Sequence, residues 1–265
     1  MPASLPPWHV DGLEWKRAKW GVHAAGYYRW AEARSTRWAD AVIADAHGIA
    51  DHLCDAHGVQ AHCIAYGAPI VAPDSTRLAE IGLSARGYHL VVARFEPENH
   101  VQEIVAGFVT SRAQLPLVVV GDAPYADEYR AQVRAAAGND PRIRFLGSLW
   151  DSDLLDTLYA HAMTYLHGHS VGGTNPSLLR AMGAGAPVSA YDVIFNREVA
   201  ADAGVYFTSP ADVAGLCEAA EDDPDAATAR GSAGQADVAA RYRWSDVADA
   251  YEDLARELLS TRRAR

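Results

Sequence analysis

Two histidines, two serines, a glycine pair and an Asn-Pro step fall within one short stretch, Tyr165-Leu-His-Gly-His-Ser-Val-Gly-Gly-Thr-Asn-Pro-Ser-Leu-Leu-Arg-Ala-Met182. Asn175 suits a helix N-cap and Pro176 the first helical position, so a helix is predicted to begin there, after a strand ending at Leu166. Glycine at 172 and 173 lets backbone N–H groups approach a ligand closely, and a helix N-terminus adds partial positive charge. Strand, glycine turn and helix start together can cradle a diphosphate at the carboxyl end of a strand, where open α/β sheets bind ligands. The plainer reading is a tight strand-to-helix turn with no ligand.

The same residues spell a rival chemistry. Gly168-His-Ser-Val-Gly172 matches the GxSxG nucleophile elbow of α/β-hydrolases. A hydrolase elbow puts its serine directly between strand and helix and its histidine downstream. Here Pro176 starts the helix well past Ser170, and no histidine follows His169. A nucleophilic Ser170 would lack a general base in that order, so the esterase reading fails. A second crowd of ligand types, His47, His52, Cys54, His57, His62 and Cys63, has no zinc-site spacing. His52 and Cys54 diverge on a helix, so these read as helix-surface residues and no metal is expected. Neither GxGxxG nor GxxxxGK[ST] occurs, which leaves a dinucleotide oxidoreductase or P-loop NTPase without support.

The elements that position these residues follow from periodicity. Short apolar runs recur at 90–93, 117–120, 143–146, 164–166, 187–190 and 205–207, with amphipathic stretches near 100–112, 126–137, 151–162, 176–184 and 196–202 between them. Such alternation predicts a parallel sheet covered on both faces, the content of one Rossmann-like domain. The first 70 residues differ, with helical patterns near 24–39 and 47–57 and two short strands at 41–44 and 61–65. Two strands do not stand alone as a sheet, so this part reads as the last βαβ unit of a domain whose earlier strands are absent. Ala68–Pro73 reads as a proline-stiffened linker, and 244–259 as a long amphipathic helix that folds back to brace the two parts.

The 265 residues are 49% apolar, ample for a sizeable core. A net charge of -11 argues against a general affinity for nucleic acid, while leaving room for one local positive pocket. Its basic residues are nearly all arginine, Lys16 and Lys19 being the lysines. Cys54, Cys63 and Cys217 form no CxxC pair and no even-numbered framework, which fits a reducing cytosol. The start, Met1-Pro-Ala-Ser-Leu-Pro-Pro7, has no signal-peptide pattern, and no apolar stretch is long enough for a membrane span. A soluble, cytoplasmic protein is expected.

Several motifs, in order, resemble the C-terminal part of GT-B glycosyltransferases of family 4. His167–Met182, Asp11–Gly21, Val92–Asn99, Val120-Gly-Asp122, Phe145-Leu-Gly147 and Phe195-Asn-Arg-Glu198 look like a bacterial subgroup with rhamnosyltransferases for polysaccharide assembly. The resemblance covers nearly the whole chain. It implies an α/β fold: a Rossmann-like parallel-sheet donor domain at 76–242, a linker at 68–75, a partial acceptor-side Rossmann remnant at 1–67 lacking its front, and a C-terminal bracing helix at 243–265.

The implied activity moves a sugar, rhamnose by the subgroup, from a nucleotide-diphosphate donor to a hydroxyl of a glycan or lipid-linked glycan. No metal or other cofactor is implied, and membrane association would come peripherally, through the acceptor. Arg94 matches the arginine that grips the diphosphate, a task suited to parallel charge-assisted hydrogen bonds. Asn99 stands where many relatives place a lysine, so the diphosphate would lean harder on Arg94 and on backbone N–H groups. Gly121 and Asp122, then Leu146 and Gly147, match the donor side, the latter pair where the nucleobase lies. Gly172, Gly173, Thr174, Asn175, Ser177 and Leu178 form the cradle, His169 hydrogen-bonds donor sugar or phosphate, and His167 borders it. Glu198 contacts the donor sugar or pairs on the surface.

Arg180 departs from the family, whose glutamate there accepts from ribose hydroxyls. An arginine cannot accept, so it loses that bond or turns to a phosphate. No catalytic residue can be named, because GT-B enzymes usually take the acceptor-side base from the N-terminal domain. The alternative to an enzyme is a non-catalytic nucleotide-sugar-binding fragment or pseudoenzyme.

Overall fold

The computed structural model describes residues 7–17 and 20–263. Met1–Pro6, read above for a leader, and Ala18–Lys19 of the Asp11–Gly21 motif lie outside the described residues. In chain order the elements are β1 (Trp8–Val10), α1 (Val22–Trp38), β2 (Val42–Ala44), α2 (His47–His57), β3 (His62–Cys63), β4 (His89–Val92), α3 (Val101–Thr110), β5 (Leu117–Val120), α4 (Asp127–Ala137), β6 (Ile143–Gly147), α5 (Ser152–Ala160), β7 (Thr164–His167), α6 (Pro176–Gly183), β8 (Val188–Tyr191), α7 (Ile194–Ala200), β9 (Gly204–Phe207), α8 (Pro210–Asp222), α9 (Pro224–Arg241) and α10 (Trp244–Arg263). They form two compact units: 1–67 with 171–175 and 242–265, and 68–170 with 176–241.

The first unit has a three-stranded parallel sheet in the order β1-β2-β3. Its third strand, Trp8–Val10, was not expected: three residues beside prolines carry no readable alternation. The middle strand, β2, is buried throughout. Ile43 of β2 and Ile64 pack against Leu254, Val247, Ala250 and Leu258, so the terminal helix α10 lies on this sheet. Gly67 permits the close approach of that helix, since a Cβ there would stand 2.7 Å from the Trp244 ring.

The second unit has six parallel strands in the order β6-β5-β4-β7-β8-β9. Counted within the unit this is 3-2-1-4-5-6, the doubly wound order, with its reversal between β4 and β7. All four residues of β5 are buried, as a strand covered on both faces requires. One layer beside the sheet is α3, α4 and α8, joined through Val101, Ile104, Phe108, Val133, Val213 and Cys217. Gly107 sets the distance between α3 and α8, because a Cβ there would come within 2.3 Å of the Pro210 carbonyl oxygen. Residues 68–73 are held rather than loose: the Val71 N–H donates to Gly183 O (3.1 Å), and Gln235 Nε2 donates to Val71 O (3.3 Å).

His89, fully buried at the start of β4, ties the sheet to α8. Its Nδ1 meets Thr164 Oγ1 at 2.8 Å and its Nε2 meets Glu221 Oε1 at 3.0 Å. Glu221 also accepts the N–H groups of Gln114 (2.8 Å) and Leu115 (3.0 Å). Burial works to raise the Glu221 pKa, but the bonds from His89, Gln114 and Leu115 outweigh it and hold the carboxyl below its ordinary value. A carboxyl depressed on folding stabilises fully above its unfolded pKa, and loses that contribution as pH falls through the folded value. Glu221→Gln is therefore expected to lower stability by about 1–3 kcal/mol at neutral pH. Urea unfolding of both proteins should show the deficit shrinking through the acid range; a deficit independent of pH would contradict the assignment.

Candidate functional site

In a doubly wound sheet the ligand crevice lies beyond the carboxyl ends of the two strands at the reversal. Here those strands are β4 and β7, paired through His89 with Thr164 and Leu90 with Tyr165. Beyond β4 come Arg94 and the turn Pro97–Asn99; beyond β7 comes Gly168-His-Ser170.

Asn99 joins the two. Its Nδ2 donates to the Arg94 carbonyl at 2.8 Å, and its Oδ1 lies 2.7 Å from His169 Nδ1. A carbonyl oxygen only accepts, so the amide nitrogen must face Arg94 and the amide oxygen must face the histidine. His169 consequently carries a proton on Nδ1 and turns Nε2 away from Asn99. The position thus works as a clasp, buried at 6% exposure, not merely as a missing lysine.

The clasp is reinforced on every side. His100 takes a left-handed backbone (φ 48°) that turns its ring onto Tyr191, with centroids 3.9 Å apart, and its Nδ1 donates to Gly168 O at 2.7 Å. Asn196, buried at 2% exposure, donates from Nδ2 to both His169 O and Tyr191 O at 2.8 Å. Ser170 gives its N–H and its hydroxyl to Glu98 O, a bracing role. Sequence reasoning missed His100 and Asn196. Asn196 sits within Phe195-Asn-Arg-Glu198, where local sequence marks Glu198 rather than the amide.

Arg94 itself is solvent-facing, its side chain 61% exposed and Nη2 3.8 Å from Glu96 Oε2. Glu96 meanwhile accepts from the Tyr125 hydroxyl at 2.8 Å. His167 is the opposite case. It is fully buried at the end of β7, with Nδ1 3.0 Å from the Tyr165 hydroxyl, and Nε2 makes no hydrogen bond among the described residues. Burial pushes its pKa well down, with the neighbouring His169 adding to the effect, so the ring is neutral.

The remaining expected residues are placed as follows. Gly121 follows β5 and Gly147 ends β6, and the Gly121 N–H donates to Gly147 O at 2.8 Å. Gly121 (φ 125°) is obligatory, since a Cβ there would fall on the Ala93 carbonyl oxygen. Asp122 pairs with Arg130 Nε at 2.7 Å and accepts from the Ala123 N–H, while Leu146 is half-buried on the edge strand. Ser177 and Leu178 stand in the first turn of α6. The Leu178 side chain is wholly in the core, so only its backbone can face a ligand. Glu198 is half-buried on α7, and its carbonyl accepts from Arg241 Nη2 at 3.0 Å.

The glycine pair is packed against residues of the first unit. Residues 171–175 group with the first unit, not with the strand and helix they connect. The Gly173 N–H donates to Asp11 O at 3.3 Å, and a Cβ at 173 would overlap the Asp45 carboxylate. A Cβ at Gly12 would stand 3.1 Å from Gly172 Cα, and the Thr174 hydroxyl donates to Asp45 O. Close packing inside the first unit accounts for these glycines, and the Gly173 N–H is occupied. Asn175 precedes α6 and is half-buried.

Arg180 is engaged by helix α5. Its Nε donates to Asp156 Oδ1 at 2.6 Å and its Nη2 to Ser152 O at 3.2 Å, which fastens α6 to α5. Arg180→Glu should set two carboxylates together at this contact and destabilise the fold. The reciprocal pair Arg180→Glu with Asp156→Arg should recover about 1 kcal/mol in a double-mutant cycle read by thermal unfolding. No coupling would show that the two side chains do not hold each other.

Among the described residues, no helix is long and apolar enough to cross a membrane. The glycosyl transferases group 1 family matches residues 86–222, and a domain of unknown function (DUF1972) matches residues 8–69. The O-antigen chain mannosyltransferase B of Escherichia coli is 29% identical over 179 residues, covering 64% of this chain and 45% of that protein. The UDP-N-acetylglucosamine–peptide N-acetylglucosaminyltransferase GtfA subunit of Streptococcus gordonii is 31% identical over 121 residues, 44% of this chain and 23% of that one. The chain therefore spans less than half the length of these curated relatives. The crystal structure of Anabaena HepE with UDP-glucose superposes with a TM-score of 0.80 at 19% identity, over 96% of this chain and 72% of that one. Sucrose-phosphate synthase from Thermosynechococcus elongatus gives 0.79 at 22% identity, over 97% and 68%. The fold is that of GT-B glycosyltransferases, and the chain, matched over half its length, belongs to the glycosyl transferases group 1 family.

Proposed function

We propose that the second unit binds a nucleotide-diphosphate sugar at the β4–β7 reversal, as the donor half of a family 4 glycosyltransferase that extends a glycan in polysaccharide biosynthesis. The observation that carries this reading is the clasp: Asn99 fixes the Arg94 backbone and the His169 ring together, at the point where an open parallel sheet binds ligands. An exposed guanidinium and the first turn of α6 then face the negative charge that develops on a departing diphosphate, so no metal is needed at this site. The division into an acceptor-side part (1–67), linker (68–75), donor domain (76–242) and terminal helix (243–265) belongs to the same proposal. So do a glycan or lipid-linked glycan acceptor and a cytoplasmic location.

Rhamnose is the finer reading, supported by the motif resemblance alone. The relatives act, by their names, on mannose and N-acetylglucosamine, and HepE was crystallised with UDP-glucose. A non-catalytic nucleotide-sugar-binding protein is the second reading, favoured by Arg180, which is engaged with Asp156 where the family resemblance implies a ribose-binding glutamate.

Calorimetric titration with dTDP-rhamnose, UDP-glucose, UDP-N-acetylglucosamine and GDP-mannose separates these. One donor should bind saturably, and Arg94→Ala should weaken it by about 1.5–3 kcal/mol, roughly 10- to 150-fold. An unchanged constant would remove Arg94 from the site. No binding of any donor by the folded chain would overturn the donor-site assignment.

A further inference from the structure

The inward face of α1 is polar. Its buried residues are Glu32 and Thr36, and Glu32 is only 8% exposed. A carboxylate this deep is costly unless something positive or hydrogen-bonding meets it. Two histidines of α2 do so: His57 Nε2 lies 2.8 Å and His52 Nε2 3.0 Å from the same oxygen, Glu32 Oε1. The other oxygen, Oε2, accepts from Trp15 Nε1 at 3.2 Å.

We propose that Glu32, His52 and His57 form a zinc-type divalent cation site in the first unit, separate from the donor site, which clips α1 to α2. The ligand atoms of the three residues lie within 4.8 Å of one another. Tetrahedral zinc with bonds of about 2.0–2.1 Å spaces its ligands about 3.3 Å apart, so small side-chain shifts suffice. Both imidazoles aim at one carboxylate oxygen instead of sharing the two, which is convergence on a point. Two neutral imidazoles and one carboxylate make a borderline donor set, suited to zinc; calcium and magnesium prefer all-oxygen shells. The Trp15 N–H orients the carboxylate from behind, as partners of metal ligands commonly do. Three protein ligands leave a fourth position, and His52 and His57, at 24% and 17% side-chain exposure, keep it open to water.

Helix geometry explains why sequence spacing hid the site. Residues five apart sit about 140° apart around a helix, so His52 and His57 straddle the Leu53–Ala56 face instead of sharing one. The third ligand comes from another helix.

The test is zinc and cobalt binding by the tag-free full chain, by competition with a chelating dye. One ion per chain is expected, with cobalt showing a nitrogen- and oxygen-ligated spectrum free of thiolate charge transfer. Glu32→Gln and His57→Gln should each weaken binding at least about tenfold and Trp15→Phe by about 10-fold or more. His62→Gln and Cys63→Ser should leave it unchanged. Zinc should raise the unfolding temperature of the parent chain and not of the ligand variants. Absence of stoichiometric binding, thiolate bands with cobalt, or binding that survives loss of all three residues would overturn the proposal and leave a hydrogen-bonded triad only.

Discussion

Parallel strands must be joined by crossovers that leave the sheet, and where two adjacent strands send theirs to opposite faces the connections part and leave a crevice. In the second unit that happens once, between β4 and β7. Everything at the candidate site follows from it. The chain beyond β4 supplies Arg94, Asn99 and His100, and the chain beyond β7 supplies Gly168, His169 and Ser170. Their hydrogen bonds to one another, through the Asn99 amide and the His100 and Asn196 side chains, turn two separate loop starts into one fixed edge. β5 beneath it is buried throughout, and α3 packs tightly on α8 at Gly107.

The apolar runs of the parallel sheet were legible because strands buried on both faces are mostly apolar, with buried polar residues such as His89 and Thr164 tied by hydrogen bonds. The three-residue β1 was not, since its pairing with β2 depends on contacts outside its own sequence. Helices α8 and α9 were also unread. The second is rich in alanine and glycine, and Gly231 serves an approach to the Gly185 carbonyl, at 2.3 Å from a would-be Cβ, that no periodicity announces. Ser209 with Asp212 does form a capping box ahead of α8, a signal present in the sequence and overlooked.

At the site, residues at strand ends were legible and those acting across the sheet were not. Arg94 and His169 could be placed because each follows an apolar run. Asn99 and Arg180 were read by what they lack relative to a family, whereas the structure shows what each holds: the Arg94 carbonyl with the His169 ring, and helix α5. The glycine pair shows a related limit of local sequence. A missing Cβ reports close approach without saying to what, and at Gly173 the approaching group is the Asp45 carboxylate. The grouping of Glu32 with His52 and His57 joins residues 20 and 25 positions apart on two helices, beyond the reach of any local spacing rule.

Hydrogen exchange of the chain, with and without a saturating nucleotide-diphosphate sugar, tests the account most directly. Ligand should slow exchange in the segments after β4 and β7, from Arg94 to Asn99 and from Gly168 to Ser170, and in the first turn of α6. Saturation that protects other segments and leaves these two unchanged would contradict a donor site at the reversal of the sheet.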